Sequence, residues 1–253
     1  MAAKSIREIR EELKEVSPEK LPEYIALYRD DTRKGVQDFL KTQENRLKKY
    51  EAELLRIEEL CSFEKKYSDY TYICGVDEVG RGPLAGPVVA GAVILPKDCR
   101  ILYINDSKKL SAKKREELSR EIHEQAIAIG IGLSTQERID EINILQATYE
   151  AMRKAIDSLS VTPSLLLNDA VTIPKVDIPQ VAIVKGDARS ISIGAASIVA
   201  KVYRDKMMEE YDNMYPGYGF ASNKGYGSKE HIEALRSLGP CPLHRRSFLK
   251  SIL

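Results

Sequence analysis

Asp77 and Glu78 close one short apolar run of the sequence, Asp169 closes another, and Asp187 follows a third just after Gly186. A carboxylate at the end of an apolar strand points off the rim of a sheet, where ligand sites of α/β proteins gather. If these strands are neighbours, four carboxylates face one point, and like charges that close are costly unless cations neutralise them. Oxygen-only ligation suits Mg²⁺ or Mn²⁺, and no cysteine or histidine cluster of the zinc type is present. A lone Asp at a strand end is more often a turn or capping residue. The metal argument therefore rests on the coincidence of three such ends. Neighbouring residues of a regular strand face opposite ways, so Asp77 and Glu78 share a site only if the strand ends or bulges at Glu78. The glycines from Gly80 onward permit that.

Gly80-Arg81-Gly82 follows the acidic pair directly. Glycines let backbone approach a ligand, and exposed amides there can hold phosphate or ribose oxygens. A tight hairpin connection needs glycine just as much, and both readings stand. The loop lacks the Gly-Lys-Ser/Thr ending of a nucleotide-binding loop. Arg81 beside a metal cluster would suit a phosphate. Lys108 and Lys109, before a helix, make either a solvated turn or a nucleic-acid backbone contact. Tyr215-Pro216-Gly217-Tyr218-Gly219-Phe220 and Lys224-Gly225-Tyr226-Gly227 set aromatics among glycines and lysines. That composition suits stacking on sugars or bases, and equally a tyrosine-rich surface loop. His244-Arg245-Arg246 adds positive charge. His123, His231 and His244 lie on helical or basic segments apart from the carboxylates and read as non-catalytic.

The elements that must position these residues divide in two. Residues 1–70 are nearly free of glycine, with alternating charges and helical spacing at Ile6, Ile9 and Leu13 and again at Leu47, Tyr50, Leu54, Ile57 and Cys61. They predict helices joined by a loop around Pro18 and Pro22. Their charges are either a solvated surface or, through Lys41, Arg46, Lys48 and Lys49, a substrate- or partner-gripping appendage. From residue 71 to 253 the pattern is that of a second, α/β domain. Strands are expected at Tyr72–Asp77 and Val88–Leu95, antiparallel because no crossover fits between them. A helix capped by Ser111 follows, with Gly130 near its end, then a strand at Ile129–Leu133 and a long helix through Ile144–Leu159. Strands at Leu165–Asp169 and Val181–Lys185 precede a helix from about Ile193 to Met214. Ser228–Leu238 is a last helix, stopped by Gly239-Pro240. The sum is a mixed sheet flanked by helices.

The 253 residues, 43% hydrophobic and 30% charged, suffice for a sizeable core. A net charge of +1 gives no excess to mark a nucleic-acid binder, so basic residues would have to cluster on one face. Cys61, Cys74, Cys99 and Cys241 show no metal-type pairing, and no signal segment is evident, so a reducing cytoplasm is the simplest setting. No apolar run reaches the ~20 residues that span a bilayer.

As a set, these motifs resemble bacterial ribonuclease HII, a type 2 ribonuclease H. The resemblance is carried by Gly75-Val76-Asp77-Glu78-Val79-Gly80-Arg81-Gly82-Pro83-Leu84-Ala85-Gly86-Pro87 and Asp106-Ser107-Lys108-Lys109-Leu110-Ser111. Lys185-Gly186-Asp187-Ala188, Ala195-Ala196-Ser197-Ile198-Val199-Ala200-Lys201-Val202 and Lys224-Gly225-Tyr226-Gly227 follow in the same order. It covers the chain from about Tyr72 onward, with the N-terminal helices as an extension. It implies a ribonuclease H-like fold and two Mg²⁺ or Mn²⁺ ions on Asp77, Glu78, Asp169 and Asp187. Gly80-Arg81-Gly82 would sense a ribose 2′-hydroxyl, and Tyr226 would pack on the deoxyribose beyond an RNA–DNA junction. Two departures are Asn168, where an apolar residue is usual, and Asn223, where histidine is frequent. The first would loosen the placement of Asp169.

The expected reaction is two-metal hydrolysis of RNA–DNA hybrids and of duplex DNA on the 5′ side of single ribonucleotides, leaving 3′-hydroxyl and 5′-phosphate ends. One ion, on Asp77, Glu78 and Asp169, would activate water; the other, on Asp77 and Asp187, would stabilise the leaving oxygen. The enzyme is expected to act as a monomer, with no membrane. A ribonuclease HIII-like preference for longer RNA tracts is the near rival, which Arg81 disfavours because that type usually carries threonine there. A non-catalytic hybrid binder is the rival of another class.

Overall fold

A computed structural model describes residues 4–250 and residue 252. The chain divides into two compact units, Met1–Glu58 and Glu59–Leu253. In the first, α1 (Ile6–Glu15) opens on a capping box: the Ser5 hydroxyl accepts from the Glu8 amide and the Glu8 carboxylate accepts from the Ser5 amide. Pro22, expected in a loop, sits instead in the first turn of α2 (Leu21–Tyr28). Proline's missing N–H costs little there. With α3 (Lys34–Leu60), these helices bury Ile9, Leu13, Leu21, Ile25, Val36 and Leu40 together. Lys41, Lys48 and Lys49 stay exposed.

The second unit is built on a five-stranded sheet of order β3-β2-β1-β4-β5. Its strands are β1 (Ile73–Val79), β2 (Val88–Ile94), β3 (Ala128–Ser134), β4 (Leu165–Asp169) and β5 (Gln180–Ile183). β1, β2 and β3 pair antiparallel, while β1, β4 and β5 pair parallel. This is the mixed, helix-flanked sheet the sequence predicts. A short helix α4 (Ser62–Lys66) precedes β1, and α5 (Ala112–Gln125), capped by Ser111, precedes β3. α6 (Gln136–Asp157) and α7 (Ile191–Met214) cover the two faces, and α8 (Phe220–Asn223), α9 (Lys229–Leu238) and α10 (Arg246–Leu249) follow.

Strand alternation sorts β1 between those faces. Cys74 and Val76 join the cluster containing Ala147, Ala151 and Met152 of α6. Gly75 faces α7 so closely that a Cβ there would lie 2.0 Å from the Ser192 carbonyl carbon. Only glycine lets that helix rest on the strand.

Several boundaries depart from expectation. Gly130 lies inside β3, because α5 already ends at Gln125 and Ala126 is extended. α6 starts eight residues before Ile144, under a Thr135 cap; Asn143 (φ 67°) breaks it and recaps the second half through Leu145 and Gln146 amides. The periodic stretch from Ile144 is that second half. β5 stops at Ile183, so Asp187 is on a 3₁₀ turn, Gly186–Ala188, that leads into α7. No helix among the described residues is long and apolar enough to cross a membrane.

Candidate active site

The parallel pairing of β1 with β4 runs from Ile73↔Leu165 to Val76↔Asn168 and stops. The next residue on each strand is Asp77 and Asp169, so the two carboxylates emerge side by side where the strands part. Asp77 shares the face of Gly75 and lies under α7, where the Ser197 hydroxyl favours its ionised form and so opposes part of the rise caused by burial. Asp77 also accepts from the Glu78 amide at 2.8 Å. Asp169 accepts from the Gly186 amide at 2.7 Å, which fastens the turn bearing Asp187 to the end of β4.

Glu78 does not lie at a bulge. β1 continues through Val79 in regular register with β2, Asp77 opposite Gly91 and Glu78 opposite Ala90. Alternation sends Glu78 to the other face, yet β4 no longer flanks β1 there. At this open corner Glu78 interacts electrostatically with Asp169 and pairs with Arg81 at 3.2 Å.

Electrostatics link the four carboxylates. Burial, then the Glu78 charge, raises the Asp77 carboxyl well above the ordinary aspartate range, with Asp169 adding to it. Burial raises Glu78 as well, opposed by Arg81. Asp187 is raised by burial and then by Asp106 and Asp169, while Lys108 opposes. Desolvation and mutual repulsion thus both disfavour the ionised forms, and hard cations are the counter-charge that an all-oxygen donor set attracts. The donor set fits Mg²⁺ or Mn²⁺. Among the described residues, no three His, Cys, Asp or Glu side chains already close around a point that would hold an ion.

Asp106 and Ser197 are site residues that strand-end reasoning misses. Asp106 takes the Lys108 amide at 2.9 Å and opens the turn Ser107–Lys109. Lys108 and Lys109 are exposed, and Lys109 Nζ stands 3.8 Å from Asp106. Asn168, where the resemblance leads one to expect an apolar side chain, is held through its amide nitrogen, and its Oδ1 has no hydrogen-bond partner among the described residues. Its side chain is fully buried and donates to Gln180 Oε1 at 2.8 Å, while Gln180 also clamps Ile173.

The loop from Gly80 to Pro87 lies beside this cluster. Gly80 has φ 88°, and a Cβ there would fall 2.2 Å from Arg204 Nε, so no other residue fits. Of His244-Arg245-Arg246, read from the sequence as added positive charge, His244 and Arg245 lie in the interior. Arg245 and Arg204 each hold carbonyls of the glycine loop. Buried guanidinium groups satisfied by backbone carbonyls leave no signature in sequence.

The aromatic segment also divides. Tyr218 and Phe220 are buried and stacked on each other, 5.4 Å between centroids, so they are core and not a stacking platform. Tyr226 stays exposed, with Cε1 3.8 Å from where a Gly82 Cβ would be. Asn223 braces its turn, donating to the Tyr218 carbonyl and accepting from the Gly225 amide. A groove beside Tyr226 is lined by Arg115, Lys201, Lys206 and Lys224 together with Glu116, Asp205 and Glu209; Arg115 and Lys201 pair with Asp205, and Lys224 with Glu209.

The histidines are remote from the carboxylates in bonding. His123 Nδ1 meets the Ser119 carbonyl. His231 and His244 touch Nε2 to Nε2 at 3.0 Å. His231 Nδ1 faces the Tyr226 carbonyl and so must donate, which makes its Nε2 the acceptor of the His244 proton. His244 Nδ1 then accepts from the Cys241 amide at 3.0 Å.

The family model for ribonuclease HII matches residues 74–251, and that for the ribonuclease HII N-terminal domain matches residues 5–68. A ribonuclease HII of Lachnoclostridium phytofermentans is 67% identical over 225 residues, 89% of either chain. The solved ribonuclease H2 of Pyrococcus horikoshii superposes with a TM-score of 0.61 at 29% identity, over 72% of this chain and 97% of that one. A structure of Bst-RNase HIII in complex with Mn²⁺ shares the fold, with a TM-score of 0.50 and 17% identity over 74% of this chain and 66% of that one.

Proposed function

This chain belongs to the ribonuclease HII family, and from that premise we propose that it nicks duplex DNA on the 5′ side of a single embedded ribonucleotide, besides cutting the RNA strand of RNA–DNA hybrids. It is a ribonuclease H, a phosphodiester hydrolase. Its activity depends on divalent metal, as the family and the all-oxygen donor set indicate.

The observation that carries the reading is the register of β1 and β4, which sets Asp77 beside Asp169 where the strands part. Asp77, Glu78, Asp169 and Asp187 would hold Mg²⁺ or Mn²⁺. When bound, such ions supply an activated water and charge stabilisation for the leaving 3′-oxygen, giving 3′-hydroxyl and 5′-phosphate ends. Around them the chain's own groups bind and orient. Arg81, half exposed and paired to Glu78, would meet a phosphate oxygen. The backbone of Gly80-Arg81-Gly82 would read the 2′-hydroxyl, the group that separates ribose from deoxyribose. Tyr226 would pack on the following sugar, and Lys108 and Lys109 would follow the phosphate backbone. No imidazole is drawn into proton transfer, since His231 and His244 are committed to each other.

The test is a labelled duplex with one ribonucleotide, incubated beside a continuous RNA–DNA hybrid with Mg²⁺, Mn²⁺ or chelator. A metal-dependent nick on the 5′ side of the ribonucleotide is expected. Cutting of the hybrid alone would point to the ribonuclease HIII type of specificity. Binding without cleavage of either would refute the nuclease reading.

A further inference from the structure

Arg245 is fully buried among the described residues, and its partners are carbonyl oxygens of the glycine loop. Nη2 donates to the Gly80 carbonyl at 2.6 Å and Nη1 to the Arg81 carbonyl at 2.8 Å. Nε and Nη2 both donate to Gly86, at 2.9 and 2.7 Å. The main chain of the same segment joins in, with the Arg245 amide on the Leu84 carbonyl and the Gly86 amide on the Leu243 carbonyl, each at 2.8 Å.

These contacts fix the direction of two peptide units. In a trans peptide the carbonyl and the N–H of one unit point opposite ways, and no cis peptide bond occurs among the described residues. Drawing the Gly80 carbonyl inward therefore turns the Arg81 N–H outward. Drawing the Arg81 carbonyl inward does the same to the Gly82 N–H. Arg81 and Gly82 are both exposed, and neither amide donates to any partner among the described residues. The Tyr226 ring stands beside Gly82, next to this exposed stretch of backbone.

The arrangement is expensive and selective. The hydrogen-bond partners of this buried cation are carbonyl oxygens, its guanidinium also lies 5.2 Å from the Phe248 ring centroid, and burial together with the Arg204 charge lowers its pKa to about 9, so it stays charged at neutral pH. Arg204 holds the far side of the loop, at Pro87, Ala85 and the Lys224 carbonyl, and does not touch the Gly80 or Arg81 carbonyl. A cation on a carbonyl oxygen also polarises that peptide and strengthens its N–H as a donor. Lysine could not reproduce this, because only the planar guanidinium offers several donors in a fixed fork.

We infer that Arg245 is a positioning residue that turns the Arg81 and Gly82 amides outward as the donors that recognise the ribose 2′-hydroxyl. The inference rests on the reading of Gly80-Arg81-Gly82 given above and adds the residue that makes it work.

The experiment compares wild type with Arg245→Lys and Arg245→Ala, below the thermal midpoint of each. Steady-state cleavage of the single-ribonucleotide duplex is measured beside the Kd for the same duplex made wholly of DNA. Both variants should lose kcat/KM by about 10-fold or more, as for hydrogen bonds to a charged group. Binding of all-DNA duplex should change less than about 2-fold, and added guanidinium should restore part of the Arg245→Ala loss. Unchanged cleavage by Arg245→Lys, or an equal loss of all-DNA binding, overturns the inference. A second measurement needs no variant: in free wild type the Arg81 and Gly82 amides should exchange with solvent freely, and the ribonucleotide duplex without added metal should protect them. Amides as protected in the free protein as those of β1 would sink the inference even if the variants fail to fold. Wild type that leaves the single ribonucleotide uncut would count against the proposed activity, and the exchange data would still decide the amide orientation.

Discussion

The hydroxyls of Ser107 and Ser197 lie 3.0 Å apart in the interior, and the Ser197 hydroxyl also favours the ionised Asp77 carboxyl. One short chain of oxygens thus ties the turn carrying Lys108 and Lys109 to the carboxylate at the centre of the site. Ser197→Ala cuts that chain while leaving every carboxylate in place. The Mg²⁺ concentration for half-maximal cleavage should rise by about 10-fold or more, the usual scale for groups that orient metal ligands. A metal titration identical to wild type would remove Ser197 from this role.

Asp77→Asn should abolish cleavage while hybrid binding, measured by fluorescence anisotropy, stays within a few-fold of wild type. The substitution keeps shape and removes charge, so binding through basic and backbone groups survives. Undiminished turnover would reject the assignment of Asp77 to the metal.

Tyr226→Ala should lower kcat/KM on the single-ribonucleotide duplex by about 10-fold or more, on the scale of ~1–3 kcal/mol for a base or sugar on an aromatic face. Tyr226→Phe keeps the ring and should remain within about 3-fold of wild type on the same scale. Equal losses in both variants would mean that the hydroxyl, not the ring, makes the contact.

Acid should loosen the His231–His244 pair. Burial, then the His231 ring, pushes the His244 pKa down to about 4 from 6.5. Because the folded pKa is lowered, the unfolded chain takes up the proton first, and stability is lost as pH falls from about 6.5 toward 4. The full effect is up to roughly 3 kcal/mol for a side chain this buried. Urea unfolding of wild type and His244→Gln at several pH values isolates it from the carboxylates. A slope with pH that is the same in both proteins would contradict the account.

What the sequence discloses and what it hides follow from how local each signal is. The Ser111 and Ser228 caps, the Gly239 stop and the strand at β2 are set by neighbouring residues, and they stand where the pattern places them. Asp77 and Asp169 meet because strand order and register agree, which apolar runs suggest and pairing decides. Glu78 comes to the same corner without the strand end or bulge that the sequence calls for, because the neighbouring strand β4 ends early. Arg204, Arg245 and His244 look like surface charge in any local window. Their burial depends on carbonyls more than a hundred residues earlier or on a ring from another helix. Tyr218 and Phe220 mislead for the same reason, their glycine-rich context hiding a core position.

The bond from Arg245 to the Gly80 carbonyl spans 165 residues of chain. During synthesis at ~5–20 residues per second, a ribosome needs roughly 8 to 33 s after making the glycine loop before its support can leave the peptidyl-transferase centre. Until then a nascent chain can pair β1 with β2 yet lack the anchored loop. The anchored form of the loop is therefore completed late in synthesis, once the segment around Arg245 has been made.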